Sequence, residues 1–111
     1  MLGITKSKNE VKKDEPERFT TPATDVFENE QEFLLLADMP GVAQGGAEVT
    51  LENDRLVLNA GAPSRKYRRE FAVPPSVDPE HVSATMKAGV LTVHLPKRAA
   101  YKPRQIQVRS A

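Results

Sequence analysis

The sequence predicts an all-β fold, an antiparallel β-sandwich of about seven short strands. Apolar and polar residues alternate with period two through most of the segment between residues 20 and 96, as they do in strands that bury one face. Turn-forming residues interrupt this alternation about every eight to twelve residues. No stretch of about ten residues in this segment has the apolar spacing that an amphipathic helix requires.

The first two predicted strands form a hairpin that ends at a sharp turn. Residues 26–27 and 33–37 are rich in strand-forming side chains, and the turn signal Asn29-Glu30 separates them. Residues 39–42 contain a proline followed by a glycine. Proline cannot donate to a sheet ladder and glycine accommodates a tight turn, so we expect the second strand to end there.

A second hairpin follows a glycine-containing loop at residues 44–46. Val49 and Leu51 alternate with polar residues on one strand, and Leu56 and Leu58 do so on the next. Residues 53–54, Asn and Asp, lie between the two strands. Both residue types tolerate the positive φ values of a two-residue hairpin turn, so we predict such a turn at this point.

Three further strands are predicted at residues 67–73, 82–86 and 91–95. Apolar residues alternate with polar ones in the last two. In the first, period two places Tyr67, Phe71 and Val73 on one face together with Arg69. Glycine and proline at residues 61–63, 74–79 and 89 supply the turns that separate the strands. A proline at position 96 then ends the predicted domain.

The inward-facing residues of all these strands form the predicted core. Each is an apolar residue that the period-two alternation places on the buried face of its strand. The predicted core residues are Phe27, Phe33, Leu35, Val49, Leu51, Leu56, Leu58, Phe71, Val73, Val82, Met86, Leu91, Val93 and Leu95.

The chain divides into an arm, one domain and a tail. Residues 1–19 are strongly charged and contain few large apolar side chains, which predicts a short disordered N-terminal arm. Residues 20–96 hold the predicted sandwich, and a domain of this size has a slim stability margin. Residues 97–111 are mostly polar and contain a proline, which predicts a flexible C-terminal tail.

The composition argues against several classes of function. Sixteen basic residues balance 15 acidic ones, so no net field directs the protein to nucleic acid or to an anionic membrane surface. The absence of cysteine excludes disulfides and zinc–thiolate sites and fits a cytoplasmic location. No apolar run approaches the roughly 20 residues that a membrane-spanning helix needs.

No combination of side chains predicts catalysis or metal binding. His81 and His94 each lack a second imidazole at ligand spacing, and carboxylates such as Asp78 lie in predicted turns, where they bond to backbone N–H groups. The paired glycines at residues 45–46 lack the lysine of a phosphate loop. We therefore expect a protein that is not an enzyme, without catalytic residues, cofactor or metal.

A short apolar motif in the tail points instead to assembly. Ile106 and Val108 follow a polar tether that contains a proline, and their side chains point the same way if the segment is extended. Such a segment can dock by strand addition, with backbone hydrogen bonds and two adjacent pockets. The alternative is that the tail folds onto its own domain or frays.

Five motifs, in order along the chain, resemble those of the small heat-shock proteins. They are Ala37-Asp38-Met39-Pro40-Gly41-Val42, Arg69-x-Phe71-x-Val73-Pro74, Val77-Asp78-Pro79, Ala84 followed by Gly89-Val90-Leu91-Thr92-Val93, and Ile106-x-Val108. The resemblance covers residues 22–108. It implies an α-crystallin domain, which is an immunoglobulin-like sandwich, and it implies ATP-independent holding of unfolding client proteins.

The resemblance also implies two sites of association. In this family the tail motif docks in a groove on a neighbouring subunit. The residues that match the groove are Val49, Leu51, Val82, Ala84 and Met86. An arginine matching Arg69 lies at or near the family's dimer interface, so the candidate dimer interface is Tyr67, Arg69 and Phe71. The expected partners are unfolding clients and further copies of the chain, in a dimer or small oligomer held by strand edges and the tail.

Two departures from the family pattern limit these implications. Bacterial and plant relatives insert a long loop, with an extra strand that swaps into a partner, whereas only residues 62–65 separate the corresponding strands here. The arm is also short and charged, where family arms are usually long and hydrophobic. The departures argue against a loop-swapped dimer, against large cages and against strong holding of clients.

Two other functions are compatible with a sandwich that lacks the swapped strand. One is an interaction module similar to the CS-domain co-chaperones, which bind a folded partner chaperone. The tail motif and Gly89-Val90-Leu91 count against this alternative. The other is a structural subunit of a hetero-oligomer, in which this chain assembles with a longer relative.

Overall fold

The computed structural model describes residues 18–110. This part of the chain contains seven strands and three single-turn 3-10 helices, at Gln44–Gly46, Pro79–His81 and Ala99–Tyr101. The strands are β1 (Thr24–Glu28), β2 (Glu32–Asp38), β3 (Ala47–Glu52), β4 (Arg55–Ala62), β5 (Arg65–Ala72), β6 (Ser83–Lys87) and β7 (Val90–Pro96). The all-β prediction and its strand count are confirmed. The predicted N-terminal arm falls almost wholly outside the described residues.

The strands form two antiparallel sheets that pack face to face. One sheet has four strands in the order β1-β2-β7-β6, and the other has three in the order β3-β4-β5. Residues that pair directly across an antiparallel ladder share one face of the sheet. Leu35 pairs with Val93 in the first sheet and Leu56 with Leu51 in the second, so alternate residues of each strand face the core between the sheets.

The core contains most of the predicted residues. Those that are fully buried as predicted are Leu35, Leu56, Leu58, Leu91, Val93 and Leu95. A second group packs against them at the margins of the sandwich and is half-buried: Phe33, Val49, Leu51, Phe71, Val73, Val82 and Met86. Their partial exposure follows from their positions on or near edge strands.

The core prediction for Phe27 is wrong. Phe27 pairs with Leu34 on the outer face of the four-stranded sheet, and its side chain is 53% exposed. Its neighbour Val26 pairs with the buried Leu35 and is the residue of β1 that faces inward. Two adjacent residues of one strand cannot both point into the core of the sandwich, because successive side chains alternate between the faces of the sheet.

Several buried residues lie outside the predicted core. Met39 and Val42 are buried although they belong to the turn after β2, and Ala60 and Val77 are buried as well. Tyr67 is only 2% exposed, and its hydroxyl donates a hydrogen bond to the carbonyl oxygen of Pro40 at 2.9 Å. The turn after β2 is therefore part of the core, and Tyr67 anchors it from β5.

The turn between β3 and β4 is the predicted two-residue hairpin turn. Asn53 and Asp54 have φ values of 51° and 62°, and the strands pair up to Glu52 and Arg55 on either side. Positive φ at both central residues defines the type I′ turn, whose twist matches that of the flanking strands. The second central position of this turn favours glycine most strongly.

We expect Asp54→Gly to raise the free energy of unfolding by about 0.5 kcal/mol. Glycine removes the backbone strain of positive φ in the folded protein. This gain should exceed the loss of stability from the greater conformational freedom of glycine in the unfolded chain. The backbone oxygen of Asp54, which accepts a hydrogen bond from the Val73 N–H, is retained. Urea unfolding measures the change. Asp54→Ala is the matched control and should lower stability, and a glycine variant less stable than the parent would contradict the assignment.

A candidate docking groove at one edge of the sandwich

Two edge strands from different sheets lie at the same side of the sandwich. β3 is the last strand of the three-stranded sheet, and β6 is the last strand of the four-stranded sheet. β6 also packs against Gln44–Gly46, the turn that leads directly into β3. The two edges therefore border one opening between the sheets.

The side chains that face this opening from β3 are apolar. Val49 pairs with Leu58 and Leu51 with Leu56, and both partners are fully buried between the sheets. Val49 and Leu51 must share that inner face, yet they are only half-buried. The three-stranded sheet thus presents apolar side chains on its inner face at β3, where the four-stranded sheet covers them only in part.

The β6 side of the opening has the same character. Ala84 pairs with Val93 and Met86 with Leu91, so Ala84 and Met86 also face inward. Ala84 is nevertheless exposed and Met86 half-buried, while Val82, just before the strand, is half-buried against the core. The five residues predicted for the groove are thus distributed along the two edges that bound it.

The tail motif lies away from this opening in the single chain. Ile106 is 82% exposed and Val108 is 90% exposed, and no strand includes residues 97–110. The first tail residues remain attached, because the Lys97 N–H donates to the Gln31 oxygen and the Arg98 N–H donates to the Ser76 oxygen. An apolar sheet edge and a tail segment with two exposed apolar side chains therefore occur in the same molecule.

Comparison with known proteins identifies the family. A model of the Hsp20/alpha crystallin family matches residues 25–109. The chain belongs to the Hsp20/alpha crystallin family. It is thus a small heat-shock protein, and the match includes the groove strands and the tail motif.

Individual relatives agree with this assignment. The chain is 34% identical over 118 residues to "Probable 15 kDa heat shock protein" of Leptospira interrogans, with 92% of this chain and 88% of the relative covered. It is 35% identical to "Spore protein SP21" of Stigmatella aurantiaca, covering 81% of this chain and 63% of that protein. A small heat-shock protein structure from Xylella fastidiosa superposes with a TM-score of 0.68 at 31% identity, covering 84% of this chain and all of that one.

The connection between β4 and β5 is too short to contain an additional strand. β4 ends at Ala62 and β5 begins at Arg65, so Pro63 and Ser64 form the whole connection. Within the described chain no strand lies between these two. This small heat-shock protein has no segment there that could reach a partner subunit.

The three residues of the candidate dimer interface occupy different environments. Tyr67 is buried in the core of its own domain and packs with the core cluster. The guanidinium carbon of Arg69 lies 4.9 Å from the centre of the Phe71 ring. The same guanidinium donates a hydrogen bond to the Pro22 carbonyl oxygen at 3.2 Å. A dimer contact through Arg69 and Phe71 stays a prediction, since both side chains remain partly accessible.

Both histidines of this small heat-shock protein pair with carboxylates. His81 Nδ1 lies 2.7 Å from Asp78 Oδ2, and Asp78 also accepts a hydrogen bond from the Glu80 N–H, so it caps the turn at Pro79–His81. The hydrogen bond from His81, aided by that backbone N–H, holds the pKa of Asp78 below its ordinary value. His94 Nδ1 lies 3.0 Å from Glu32 Oε1.

Residues 18–110 contain neither a metal-binding cluster nor a membrane-spanning helix. No group of three or more histidine, cysteine, aspartate or glutamate side chains in this range could hold a metal ion. None of its helices is long and apolar enough to cross a bilayer.

Proposed function

We propose that this small heat-shock protein is an ATP-independent holdase that binds unfolding proteins in the groove between β3 and β6. The observation that carries the proposal is the position of Ala84, which pairs with the fully buried Val93 but is itself exposed. An inner-face position that remains open offers apolar surface without any need for the domain to unfold.

The groove suits an extended chain that presents apolar side chains. Edge strands have unpaired backbone groups, which an added strand can satisfy, and alternate side chains of that strand enter pockets. Val49 and Leu51 on one side and Val82 and Met86 on the other supply the apolar walls. Unfolding proteins expose such segments in many sequences, so recognition by backbone and apolar contact would be broad and would use no nucleotide.

We infer that the same groove accepts the tail of a neighbouring subunit. Ile106 and Val108 have the two-residue spacing that directs two side chains to one face of an extended segment. Both are almost fully exposed on the free chain, so docking would remove substantial apolar area from water. Tail and client would then compete for one surface, and assembly would regulate access to it.

The test is light scattering from a heat- or reduction-denatured model client, with this protein and without ATP. We expect suppression of aggregation near stoichiometric ratios. Ala84→Asp places a charge in the groove, and because an unpaired charge resists transfer into an apolar contact, it should raise the amount of protein needed at least about threefold.

Thr85→Asp is the matched control, because Thr85 is exposed on the same strand but pairs with Thr92 on the outer face. It should suppress aggregation as well as the parent does. A parent protein that fails to suppress aggregation would refute the holdase proposal and favour an interaction module or an assembly subunit. Equal loss in both variants would refute the location in the groove.

A further inference from the structure

The second open edge of the sandwich is strand β1, at the opposite end of the four-stranded sheet. The Asp38 N–H donates to the Ala23 oxygen at 2.9 Å and the Asn29 N–H donates to the Glu32 oxygen at 3.0 Å. These two bonds flank the ladder between β1 and β2. Because backbone groups alternate in direction along a strand, positions 23, 25, 27 and 29 bond toward β2.

The intervening positions therefore direct their backbone groups outward. They are Thr24, Val26 and Glu28, each with an outward N–H and carbonyl oxygen. Within residues 18–110 no strand lies on that side of β1. Three consecutive outward positions form an edge that can template a further strand.

The side chains on this edge are apolar at its centre. Val26 faces inward, opposite the buried Leu35, but it is 56% exposed because β1 extends beyond the cover of the other sheet. It borders an apolar cavity of about 80 Å³ whose walls include Phe33, Phe71 and Val77. Sealing this side of the sandwich would therefore bury apolar surface as well as satisfy backbone groups.

The nearest alternative edge, that of β5, is already half-occupied by the same chain. The Thr20 N–H donates to the Lys66 oxygen at 2.7 Å, and the Arg68 N–H donates to the Thr20 oxygen at 3.2 Å. By the same alternation, Glu70 and Ala72 are the outward positions of β5 that residue 20 leaves untouched. A partner strand would find three consecutive outward positions on β1 but only two on β5.

We propose that two copies of this chain associate through their β1 strands, which pair antiparallel across a two-fold axis. The axis passes between Val26 and Val26 of the second copy. Thr24 of each copy then pairs with Glu28 of the other copy. The result is one continuous sheet made from two four-stranded sheets.

The register follows from the backbone and from charge. Hydrogen-bonded pairs must join outward positions on both strands. Only the register centred on Val26 uses all three outward positions of each copy, which allows two hydrogen bonds at each of three pairs. A register centred on Glu28 would place two carboxylates directly opposite each other, and like charges in that position are destabilising.

The side chains complement this register on both faces. The two Val26 side chains meet on the inner face and close the apolar cavities from the side. On the outer face, each Phe27 lies opposite Asp25 of the second copy and diagonal to the other Phe27, within reach of an aromatic contact. An interface of one strand pair is small, so the dimer should dissociate on dilution.

Disulfide trapping tests the register directly, because the natural sequence has no cysteine. Val26→Cys places two thiols on a hydrogen-bonded pair, whose Cα atoms lie about 5.5 Å apart, within the range that a disulfide spans. Mild oxidation should give a covalent dimer of twice 12.3 kDa. Ala72→Cys, at the outward position of the β5 edge, is the control and should cross-link much more slowly. Cross-linking of Ala72→Cys at an equal or higher rate would overturn the proposal.

Sedimentation of a second variant tests the hydrogen bonds. The disulfide trapping and the sedimentation both use the full chain with Ile106→Ala and Val108→Ala, so that tail docking does not contribute to association. Val26→Pro removes an outward N–H without touching the ladder to β2, and proline is tolerated on edge strands. Losing the two central hydrogen bonds should raise the dimer dissociation constant about tenfold or more.

Ala72→Pro makes the same change on the β5 edge and should leave the dissociation constant within about twofold of the parent. A parent that is monomeric at all concentrations, or a Val26→Pro variant that associates as well as the parent, would overturn the proposal. The readout is association alone, so the result stands whether or not the protein suppresses client aggregation.

Discussion

Tyr67→Ala is expected to lower the free energy of unfolding by about 3–5 kcal/mol, the cost typical of truncating a buried aromatic residue. The ring is 2% exposed and lies in the core, beneath the turn after β2. Its hydroxyl also satisfies the Pro40 oxygen, which would lose this partner. A domain of this size has only a modest total stability, so urea unfolding should show a variant that is largely unfolded or close to it.

Two control variants separate the contributions of the ring and the hydroxyl. Tyr67→Phe keeps the ring and should cost about 1 kcal/mol, the usual net value of one hydrogen bond. Tyr101→Ala removes an aromatic side chain that is 57% exposed and should change stability by less than about 0.5 kcal/mol. The loss of stability in Tyr67→Ala, relative to the parent, should not depend on protein concentration. A stable Tyr67→Ala variant with altered subunit association would instead support the interface role that the family resemblance implies.

Ile106→Ala combined with Val108→Ala is expected to reduce the mass of the oligomer. If the tail docks on a neighbour, each docked tail buries two aliphatic side chains, which contribute on the order of 3–5 kcal/mol in gross terms. The cost of ordering the tail reduces this value, so the net contribution per contact is small. Contacts of this strength are sensitive to truncation, and multi-angle light scattering should report smaller assemblies at equal concentration.

Gln105→Ala combined with Gln107→Ala is the matched control for the tail. These residues alternate with the apolar pair and would point away from the groove in an extended segment. Their truncation should leave the mass unchanged. If the apolar double variant also keeps the parent mass, the tail does not connect subunits, and it either folds onto its own domain or frays.

The local structure of this small heat-shock protein could be predicted from sequence to a large extent. Alternation of apolar residues located the strands because a period of two is a property of the extended backbone itself. Asn53 and Asp54 marked their turn because few residue types accept positive φ at two consecutive positions. The tail motif was equally visible, since two apolar residues on a polar tether need no tertiary information to be recognised.

The errors have a common cause. Phe27 and Val26 are neighbours of similar apolar character, and only pairing with β2 decides which of them faces inward. Met39 and Val42 belong to a turn, where period-two reasoning gives no face, and their burial depends on packing into the same core cluster as Tyr67. The burial of Tyr67 was also missed, although the alternation of β5 places it with Phe71 on one face; its assignment to a dimer interface stays a prediction.

Local periodicity and short motifs were enough to predict the strands, the turns, the family and the residues of the tail motif. Which edges of the sandwich remain open, by contrast, became clear from the packing of the two sheets. Each open edge arises where one sheet extends past the other, as at Ala84 and Val26, whose strand partners are buried while they are exposed. Such an overhang depends on how two sheets superpose, and no single strand contains that information.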